Sequence, residues 1–292
     1  MPLVSVITGM HDAGPFIGRT IASVLRQDFA DFELIVADDG STDAGPDLVR
    51  AVRDARVRLL PLGKVGRSAA LNIALGEARG ELAAILDADD LCEPDRLMRQ
   101  AAAFAADPAL TVAGSTCRFI DAEDRPRDVF RVPLGHACIL WQSLFHNTFV
   151  HSASMFRLSA ARGLAYETAL EPSEDYAFLT ALAWSGKAAN DERPLVRYRV
   201  HERQLSQTRQ RVQQDNAARI HRRNLARLGW AGEPPAHARD WLWGLPVTPQ
   251  PEHAELLDFY LTLLGRLETR PHVQPGDLTI LRRELERARA GP

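Results

Sequence analysis

The chain has 292 residues, 46% of them hydrophobic, which allows one large domain or two modest ones with a substantial buried core. Its formal net charge is −3, so no overall positive field favours a nucleic-acid partner. The three cysteines are odd in number and lack metal-site spacing, which argues against a disulfide framework and predicts a reducing, cytoplasmic setting. No apolar run approaches the roughly 18 residues of a membrane-spanning helix, which predicts a protein that is soluble or at most peripheral to a membrane.

The first third of the chain alternates short apolar runs with helical patterns. Four runs predict buried strands: residues 4–7, 32–37, 57–62 and 82–86. The stretches between them carry apolar residues at helical spacing or a proline suited to a first helical turn. Strands alternating with helices are typical of a mainly parallel sheet flanked by helices.

Acidic residues follow two of these strands directly. Asp38 and Asp39 come after the second strand, and Asp87, Asp89 and Asp90 come after the fourth. The carboxyl ends of strands in an open α/β sheet meet at one edge, where ligands bind. Like charges that close repel unless a cation neutralises them, and carboxylates together with phosphate oxygens suit Mg²⁺ or Mn²⁺. Each loop alone is equally typical of a turn with a helix cap, but the two together favour a polar site.

The middle of the chain has a different pattern. Residues 111–120 predict a strand, 129–132 its hairpin partner, 149–156 another strand and 195–200 the last one. Ser173 is expected to cap a helix over residues 174–184 that Gly186 ends.

The segment beyond residue 205 is rich in arginine and predicted to be helical, with a second helical stretch over residues 252–267. Val212, Ile220 and Leu228 predict an apolar stripe that packs on the rest of the protein. Arginines between residues 209 and 227 also suggest contact with an anionic membrane surface or a lipid-phosphate acceptor, although a solvated helix is the preferred interpretation.

The order of these pieces resembles family 2 glycosyltransferases. The motifs that carry the resemblance run in order along the chain: Leu3–Ile7, Phe32–Asp43, Gly66–Asn72, Leu86–Asp90, Glu174–Asp175 and Tyr198–His201. The resemblance implies a GT-A fold, a mixed, mainly parallel sheet flanked by helices. It places a nucleotide-sugar-binding half over residues 1–115, an acceptor-binding and catalytic half over 116–205, and a helical C-terminal extension over 206–292.

The resemblance also implies a metal-assisted donor site. In the family, the loop that matches residues 87–90 binds the ribose and a divalent metal, so Mn²⁺ or Mg²⁺ is the expected cofactor. Asp89 and Asp90 are the leading metal ligands, and His201 completes the site or is simply a partly exposed histidine at a strand end.

Six residues are expected to bind the nucleotide sugar by the same resemblance: Thr8, His11, Asp39, Arg67, Asp87 and Asp89. Asp39 matches the position that bonds the base, and Arg67 matches a basic residue that approaches the nucleotide. His11 stands where the family usually has a stacking aromatic ring, and an exposed or core histidine is almost as good an interpretation. Uridine is the expected base, from its frequency in the family alone.

Asp175 matches the family position of the catalytic base, with Glu174 in support. Without the resemblance, acids that complement a helix dipole would be the better explanation of this pair. The resemblance implies inverting transfer from a nucleotide-sugar donor to a glycan or lipid-linked glycan, in which this base accepts the proton of the acceptor hydroxyl. Trp141, His146 and His151 are expected around the acceptor, and small residues at 152–154 would let a sugar approach closely.

Two other functions remain open at the level of sequence. A degenerate nucleotide-sugar-binding module would not need the acids at 87–90 and Asp175, which this chain retains. A sugar nucleotidyltransferase would need a basic glycine-rich loop after the first strand, where the chain has Gly9 and Gly14 but no basic group before Arg19. A dinucleotide-dependent dehydrogenase is excluded because the Gly-x-Gly-x-x-Gly fingerprint is missing there. The oligomeric state is not predicted.

Overall fold

The computed structural model describes residues 1–201, 209–235, 238, 252–274 and 276–290. Within these residues, nine strands form one sheet: β1 (Val4–Met10), β2 (Phe32–Asp38), β3 (Val57–Pro61), β4 (Leu82–Ile85), β5 (Leu91–Cys92), β6 (Leu110–Ile120), β7 (Pro126–Phe130), β8 (Met155–Arg157) and β9 (Lys187–Arg199). The helices are α1 (Gly14–Leu25), α2 (Gly45–Arg50), α3 (Arg67–Glu77), α4 (Arg96–Ala106), α5 (His136–Ser143), α6 (Leu158–Ala161), α7 (Glu174–Ser185), α8 (Gln210–Arg227), α9 (Glu252–Leu267) and α10 (Thr279–Ala290). Short 3-10 turns lie at His151–Ala153 and Thr168–Leu170.

The first half of the sheet is parallel, as the alternating pattern predicts. The strand order is β3-β2-β1-β4-β8-β6-β9-β5, and β1 pairs in parallel with both β2 and β4. Ile7 of β1 lies opposite Ile35 of β2 and Ile85 of β4, so the three strands end at the same edge. The acidic loops that follow β2 and β4 therefore come to one side of the sheet.

The second half of the sheet is mixed. β8 runs antiparallel to both β4 and β6, β6 and β9 are parallel, and β7 returns along β6 as the predicted hairpin. β5 follows Asp90 directly and pairs with the end of β9, with Leu91 opposite Arg197. This pairing brings the end of β9, and with it His201, beside the aspartate loop after β4.

Successive side chains along a strand point to opposite faces of the sheet, so each strand contributes to a hydrophobic core on both faces. Ile7 and Ile35 face a core that includes residues of α3, α5, α7 and α9. Val6 and Leu34 face the other core, which α1 and α4 cover. Both faces being covered explains why the parallel strands are almost entirely apolar.

Helices α8 and α9 pack on the second half of the sheet domain, α8 against α7 and α9 against α5. The inward side of α8 is partly polar and donates to backbone carbonyls: Asn216 Nδ2 to Glu171 O at 3.0 Å and Asn224 Nδ2 to Ser143 O at 2.7 Å. The described part of the predicted extension is thus largely helical, and α8 is bonded to the end of α5 and to the segment before α7. Among the described residues, no helix has the length and apolar character needed to cross a bilayer.

The predicted apolar stripe of α8 is only partly correct. Ile220 and Leu228 are buried, but Val212 is 48% exposed. Val212 lies in the first turn of α8, one turn before the buried stripe that begins at Asn216. Two of the arginines on this helix form ion pairs with carboxylates, Arg222 with Glu233 and Arg223 with Glu167. Contact of this helix with an anionic membrane stays a prediction.

Two other local predictions are wrong. Residues 149–156 do not form one strand, because the turn His151–Ala153 precedes a short β8 and Ser154 Oγ donates locally to Val150 O at 2.9 Å. Such a local bond competes with strand pairing. Ser173 precedes α7 as expected, but its hydroxyl donates to Gln213 O of α8 at 3.3 Å and makes no capping bond.

Candidate active site

One arginine joins the two halves of the chain at the carboxyl edge of the sheet. Arg67 is the first residue of α3, and its Nη2 donates to Asp87 Oδ1, after β4, at 2.8 Å. Its Nε donates to Glu174 Oε1, the first residue of α7, at 3.0 Å. Three sequence-predicted site residues, more than a hundred positions apart at the extremes, are thereby in direct contact.

Burial and charge act in opposite directions on this group. Burial favours the neutral acid, but Arg67 and His151 outweigh it and hold the pKa of Asp87 well below its usual range. Glu174 is only 3% exposed, and there burial outweighs the attraction of Arg67, so its pKa is raised, with the charge of Asp175 adding to the effect. Burial would lower the pKa of Arg67, but the two carboxylates raise it instead. Arg67 therefore stays charged, and Asp87 is its ionised partner.

Asp89 and His201 form a second pair beside this one. His201 Nε2 lies 2.9 Å from Asp89 Oδ2, and the imidazole stacks on the ring of Phe16 with centroids 5.1 Å apart. Both side chains keep some exposed surface. A carboxylate and an imidazole suit Mn²⁺, and carboxylates suit Mg²⁺. In the described part of the chain, no group of three or more His, Cys, Asp or Glu side chains is arranged to hold a metal ion, so any metal here would need further ligands from a bound molecule.

Asp90 is separated from that pair by its burial. Its side chain has no exposed surface, and its Oδ1 accepts the backbone N–H of Arg199 at 2.7 Å. Burial, with the charges of Asp89 and Asp87, raises the pKa of Asp90 well above its usual range. Asp90 is thus held in the interior by the backbone of β9, whereas Asp89 keeps some exposed surface, and a metal-ligand role for Asp90 stays a prediction.

Arg199 fixes the loop that carries these acids, and the sequence analysis missed it. Its guanidinium is fully buried, and Nε donates to the carbonyl of Asp89 at 2.6 Å. Nη1 donates to Asp121 O at 2.8 Å, and Nη2 pairs with Asp124, so the β6–β7 turn is tied to the same arginine. An arginine at the end of a strand gives no sequence signal of such burial, because its partners are mostly backbone carbonyls.

The residues expected around the base of the nucleotide lie on the same edge. Asp39 is buried, and its Oδ1 accepts the backbone N–H groups of Val65 and Gly66 at 2.6 and 2.8 Å. Thr8, near the end of β1, is buried as well, and His11 is exposed beside Asp12 at 3.7 Å. Asp39 thus positions the loop before α3, which delivers Arg67.

Asp175 is partly exposed, next to the buried Glu174, and accepts a hydrogen bond from Asn147 Nδ2 to its Oδ2 at 2.9 Å. Asn147 is not among the residues that the sequence predicts for the site. A carboxylate with one oxygen held by an amide and some surface in contact with solvent is suited to accept a proton.

A family model for "Glycosyl transferase family 2" matches residues 5–164. The chain belongs to glycosyltransferase family 2. The match covers the loops that carry Asp39, Arg67 and Asp87–Asp90, and it ends before Glu174.

Relatives of this family 2 chain carry glycosyltransferase or polysaccharide names. It is 29% identical to an uncharacterized glycosyltransferase of Haemophilus influenzae over 77% of its own length and 73% of that protein. It is 32% identical to the succinoglycan biosynthesis protein ExoO of Rhizobium meliloti over 70% of its own length and 63% of that protein.

Solved structures of low sequence identity confirm the predicted GT-A fold. S. aureus TarS 1-349 in complex with UDP-GlcNAc aligns with a TM-score of 0.59 and 18% identity, over 99% of this chain and 88% of that chain. The mannosyltransferase PcManGT from Pyrobaculum calidifontis, in complex with GDP-Man and Mn²⁺, aligns with a TM-score of 0.58 and 23% identity, over 91% of this chain and 73% of that chain.

The residues expected around the acceptor of this glycosyltransferase are dispersed. Trp141 is 3% exposed and packs against Phe145 and Tyr260 in the core, so it does not line an open pocket. His146 lies partly exposed next to Asn147, with its Nε2 3.2 Å from Gln142 Oε1. His151 is buried, with its Nδ1 3.1 Å from Asp87 Oδ1.

Proposed function

We propose that the chain transfers a sugar from a nucleoside-diphosphate sugar to a hydroxyl of a glycan or lipid-linked glycan, with inversion at the anomeric carbon. The observation that carries the proposal is the contact of Arg67 with both Asp87 and Glu174. This contact joins residues 87–90, here called the donor loop, to the acid pair at the start of α7. Family membership supports the reaction class. A UDP-sugar is the favoured donor, in keeping with the UDP-GlcNAc complex of TarS, and GDP-Man in PcManGT makes a guanosine donor the alternative.

The donor side of the site rests on Asp39, Arg67 and Asp87. We assign Asp39 to the nucleobase and Asp87 to the ribose, with Thr8 and His11 at the same edge. Arg67 brings a permanent positive charge toward the nucleotide, and its two carboxylate partners hold the guanidinium in one orientation.

Asp89 and His201 are the residues that would hold Mn²⁺ or Mg²⁺, with the diphosphate of the donor supplying further oxygen ligands. A bound divalent cation would neutralise the negative charge that develops on the leaving diphosphate. Asp90 is assigned a structural role in place of the ligand role expected from the resemblance, because its carboxyl is buried behind the loop and bonded to the Arg199 backbone.

Asp175 is the proposed general base. Its carboxylate accepts the proton of the acceptor hydroxyl while that oxygen bonds to the anomeric carbon. The bond between the anomeric carbon and the diphosphate oxygen breaks on the opposite side, and the nucleoside diphosphate leaves. Asn147 holds one oxygen of the base, and Glu174 holds Arg67, so the two acids of the pair have different tasks.

The test is a screen for slow hydrolysis of nucleotide sugars, which needs no acceptor. UDP- and GDP-sugars are incubated with the wild-type chain in MnCl₂ or in EDTA, and free nucleoside diphosphate is measured. We expect Mn²⁺-dependent release from one donor and its loss in Asp89→Asn. The matched control is Asp191→Asn, which removes a carboxylate of β9 that is paired with Arg99 of α4. Tight binding without any turnover, even with glycan acceptors, would favour the degenerate binding module and overturn the proposal.

A further inference from the structure

A buried histidine and tyrosine lie directly behind the donor loop and have no role in the function proposed so far. His151, in the turn before β8, is 6% exposed. Its Nδ1 lies 3.1 Å from Asp87 Oδ1, and its Nε2 lies 3.2 Å from the hydroxyl of Tyr166. The three side chains therefore form a continuous row that ends on the carboxylate assigned to the donor.

The chemistry of the neighbours determines the direction of these hydrogen bonds. The carboxylate of Asp87 is paired with the guanidinium of Arg67 at 2.8 Å, so it acts as a hydrogen-bond acceptor. Burial raises the pKa of Tyr166 well above its usual range, so its hydroxyl keeps the proton and donates. With Asp87 as the acceptor, His151 Nδ1–H is directed to its carboxylate, and Nε2 faces the hydroxyl of Tyr166. Arg67 Nη2, 3.1 Å from His151 Nδ1, shares the same carboxylate.

Tyr166 is a rigid anchor for this row. Asn72 on α3 bonds its backbone twice, accepting the N–H of Tyr166 at 2.8 Å and donating to its carbonyl at 2.9 Å. The ring stacks on Phe178 of α7, with centroids 4.2 Å apart and planes 21° apart. Helix α3 begins with Arg67 and α7 begins with Glu174, and the contacts of Arg67 with Glu174 and Asp87 are here called the Arg67 bridge. Tyr166 therefore contacts both helices that contribute to this bridge.

We infer that Tyr166 and His151 are positioning residues for the donor: they hold Asp87, and through it Arg67, in the orientation that binds the nucleotide part of the donor. The inference rests on the donor site of the proposed function. The inference goes beyond the proposed function because it assigns a role to His151, which was first expected near the acceptor, and to Tyr166, which no sequence motif marked. A purely structural pair would affect stability without separating donor affinity from turnover.

The test compares variants at the two positions by calorimetry with UDP and MnCl₂ and by donor hydrolysis at saturating donor. Tyr166→Phe removes one oxygen, and His151→Ala removes the whole link to Asp87. His151→Asn retains an N–H close to the position of Nδ1. We expect His151→Ala to weaken UDP binding about tenfold or more, the usual effect of losing a hydrogen bond to a charged group, and His151→Asn to recover most of that loss. Tyr166→Phe should weaken binding about threefold to tenfold, and hydrolysis at saturating donor should change less than affinity in each variant.

The matched control is Tyr260→Phe, which removes a buried hydroxyl that donates to the carbonyl of Ala238, away from the donor loop. It should leave UDP affinity unchanged, and urea unfolding of all variants shows which remain folded. The inference is wrong, and the proposed function stands, if the wild-type protein binds UDP and the substitutions do not change its affinity. In that case the folded variants Tyr166→Phe and His151→Asn bind UDP as tightly as the wild type. His151→Ala then binds UDP as tightly as the control Tyr260→Phe. If the wild-type chain binds neither UDP nor GDP with Mn²⁺, both are wrong.

Discussion

Replacing Asp175 by Asn separates catalysis from folding in this site. The change is isosteric, and the new amide oxygen can still accept from Asn147 as Oδ2 does now at 2.9 Å. The cost to folding is the loss of one negative charge in the first turn of α7, about 0.3–1 kcal/mol. Relief of repulsion offsets part of that cost, because the charge of Asp175 is one of the causes that raise the pKa of buried Glu174.

The expected cost to catalysis is much larger. A positioned base contributes about 10²–10⁴ in rate, which is roughly 3–5.5 kcal/mol in the activation free energy. Donor affinity should stay close to wild type, since the donor residues lie on β1, in the loops after β1, β2 and β4, and on α3, and the Arg67–Glu174 ion pair is untouched. The two magnitudes differ enough that loss of activity in Asp175→Asn cannot be explained by partial unfolding.

The assay measures donor affinity by calorimetry and donor hydrolysis at saturating donor on the same preparation. Asp47→Asn is the matched control, because it removes an acid from the first turn of α2, where Asp47 is highly exposed. We expect both variants to fold and bind UDP with Mn²⁺, and only Asp175→Asn to lose turnover. Turnover of Asp175→Asn within about threefold of the control would refute the base assignment and make Glu174 the next candidate.

Three further predictions follow from the donor loop. Asp89→Asn and His201→Ala should each weaken Mn²⁺-dependent UDP binding about tenfold or more, whereas Asp90→Asn should not. If calorimetry shows an equal loss of UDP affinity in all three variants, Asp90 is a metal ligand as well. Burial and the charge of Asp89 raise the folded-state pKa of Asp90, so its contribution to stability is full below the unfolded pKa near 4 and falls as pH rises. Asp90→Asn should therefore flatten the decline in unfolding free energy as the pH rises above about 4 in EDTA, and an unchanged slope in urea titrations would argue against a buried acid. Arg199→Lys leaves buried carbonyls without donors and should lower the unfolding free energy by about 2–5 kcal/mol. The control Arg197→Lys, two residues earlier, should lower it by less than about 1 kcal/mol. Similar losses in the two variants would contradict the role of Arg199 in holding the loop after β4.

The sequence predicted the parts of the fold that depend on local pattern. Apolar runs gave the parallel strands, the acidic loops fell at one edge, and helix α9 matches the predicted 252–267 range. The residues of the loop after β4 were assigned to the donor from the resemblance and the order of its motifs, and their roles stay predictions.

Contacts between distant segments were not predictable in the same way. Asn147 with Asp175, and His151 with Asp87 and Tyr166, depend on the irregular path of the chain before β8, which was expected to be a strand. Periodicity cannot detect a 3-10 turn of three residues held by local side-chain bonds. The burial of Asp90 could not be predicted either, because the sequence does not distinguish it from its partly exposed neighbour Asp89.

The Arg67 bridge has a consequence for how the two substrates affect each other. A diphosphate bound near Arg67 competes with Glu174 for the same guanidinium, and Glu174 is the immediate neighbour of Asp175. On the proposed function, filling the donor site therefore changes the field at the place where the acceptor hydroxyl must lose its proton. Binding is coupled reciprocally by thermodynamic necessity: a donor that changes the affinity for the acceptor through this field has its own affinity changed by the acceptor by the same factor.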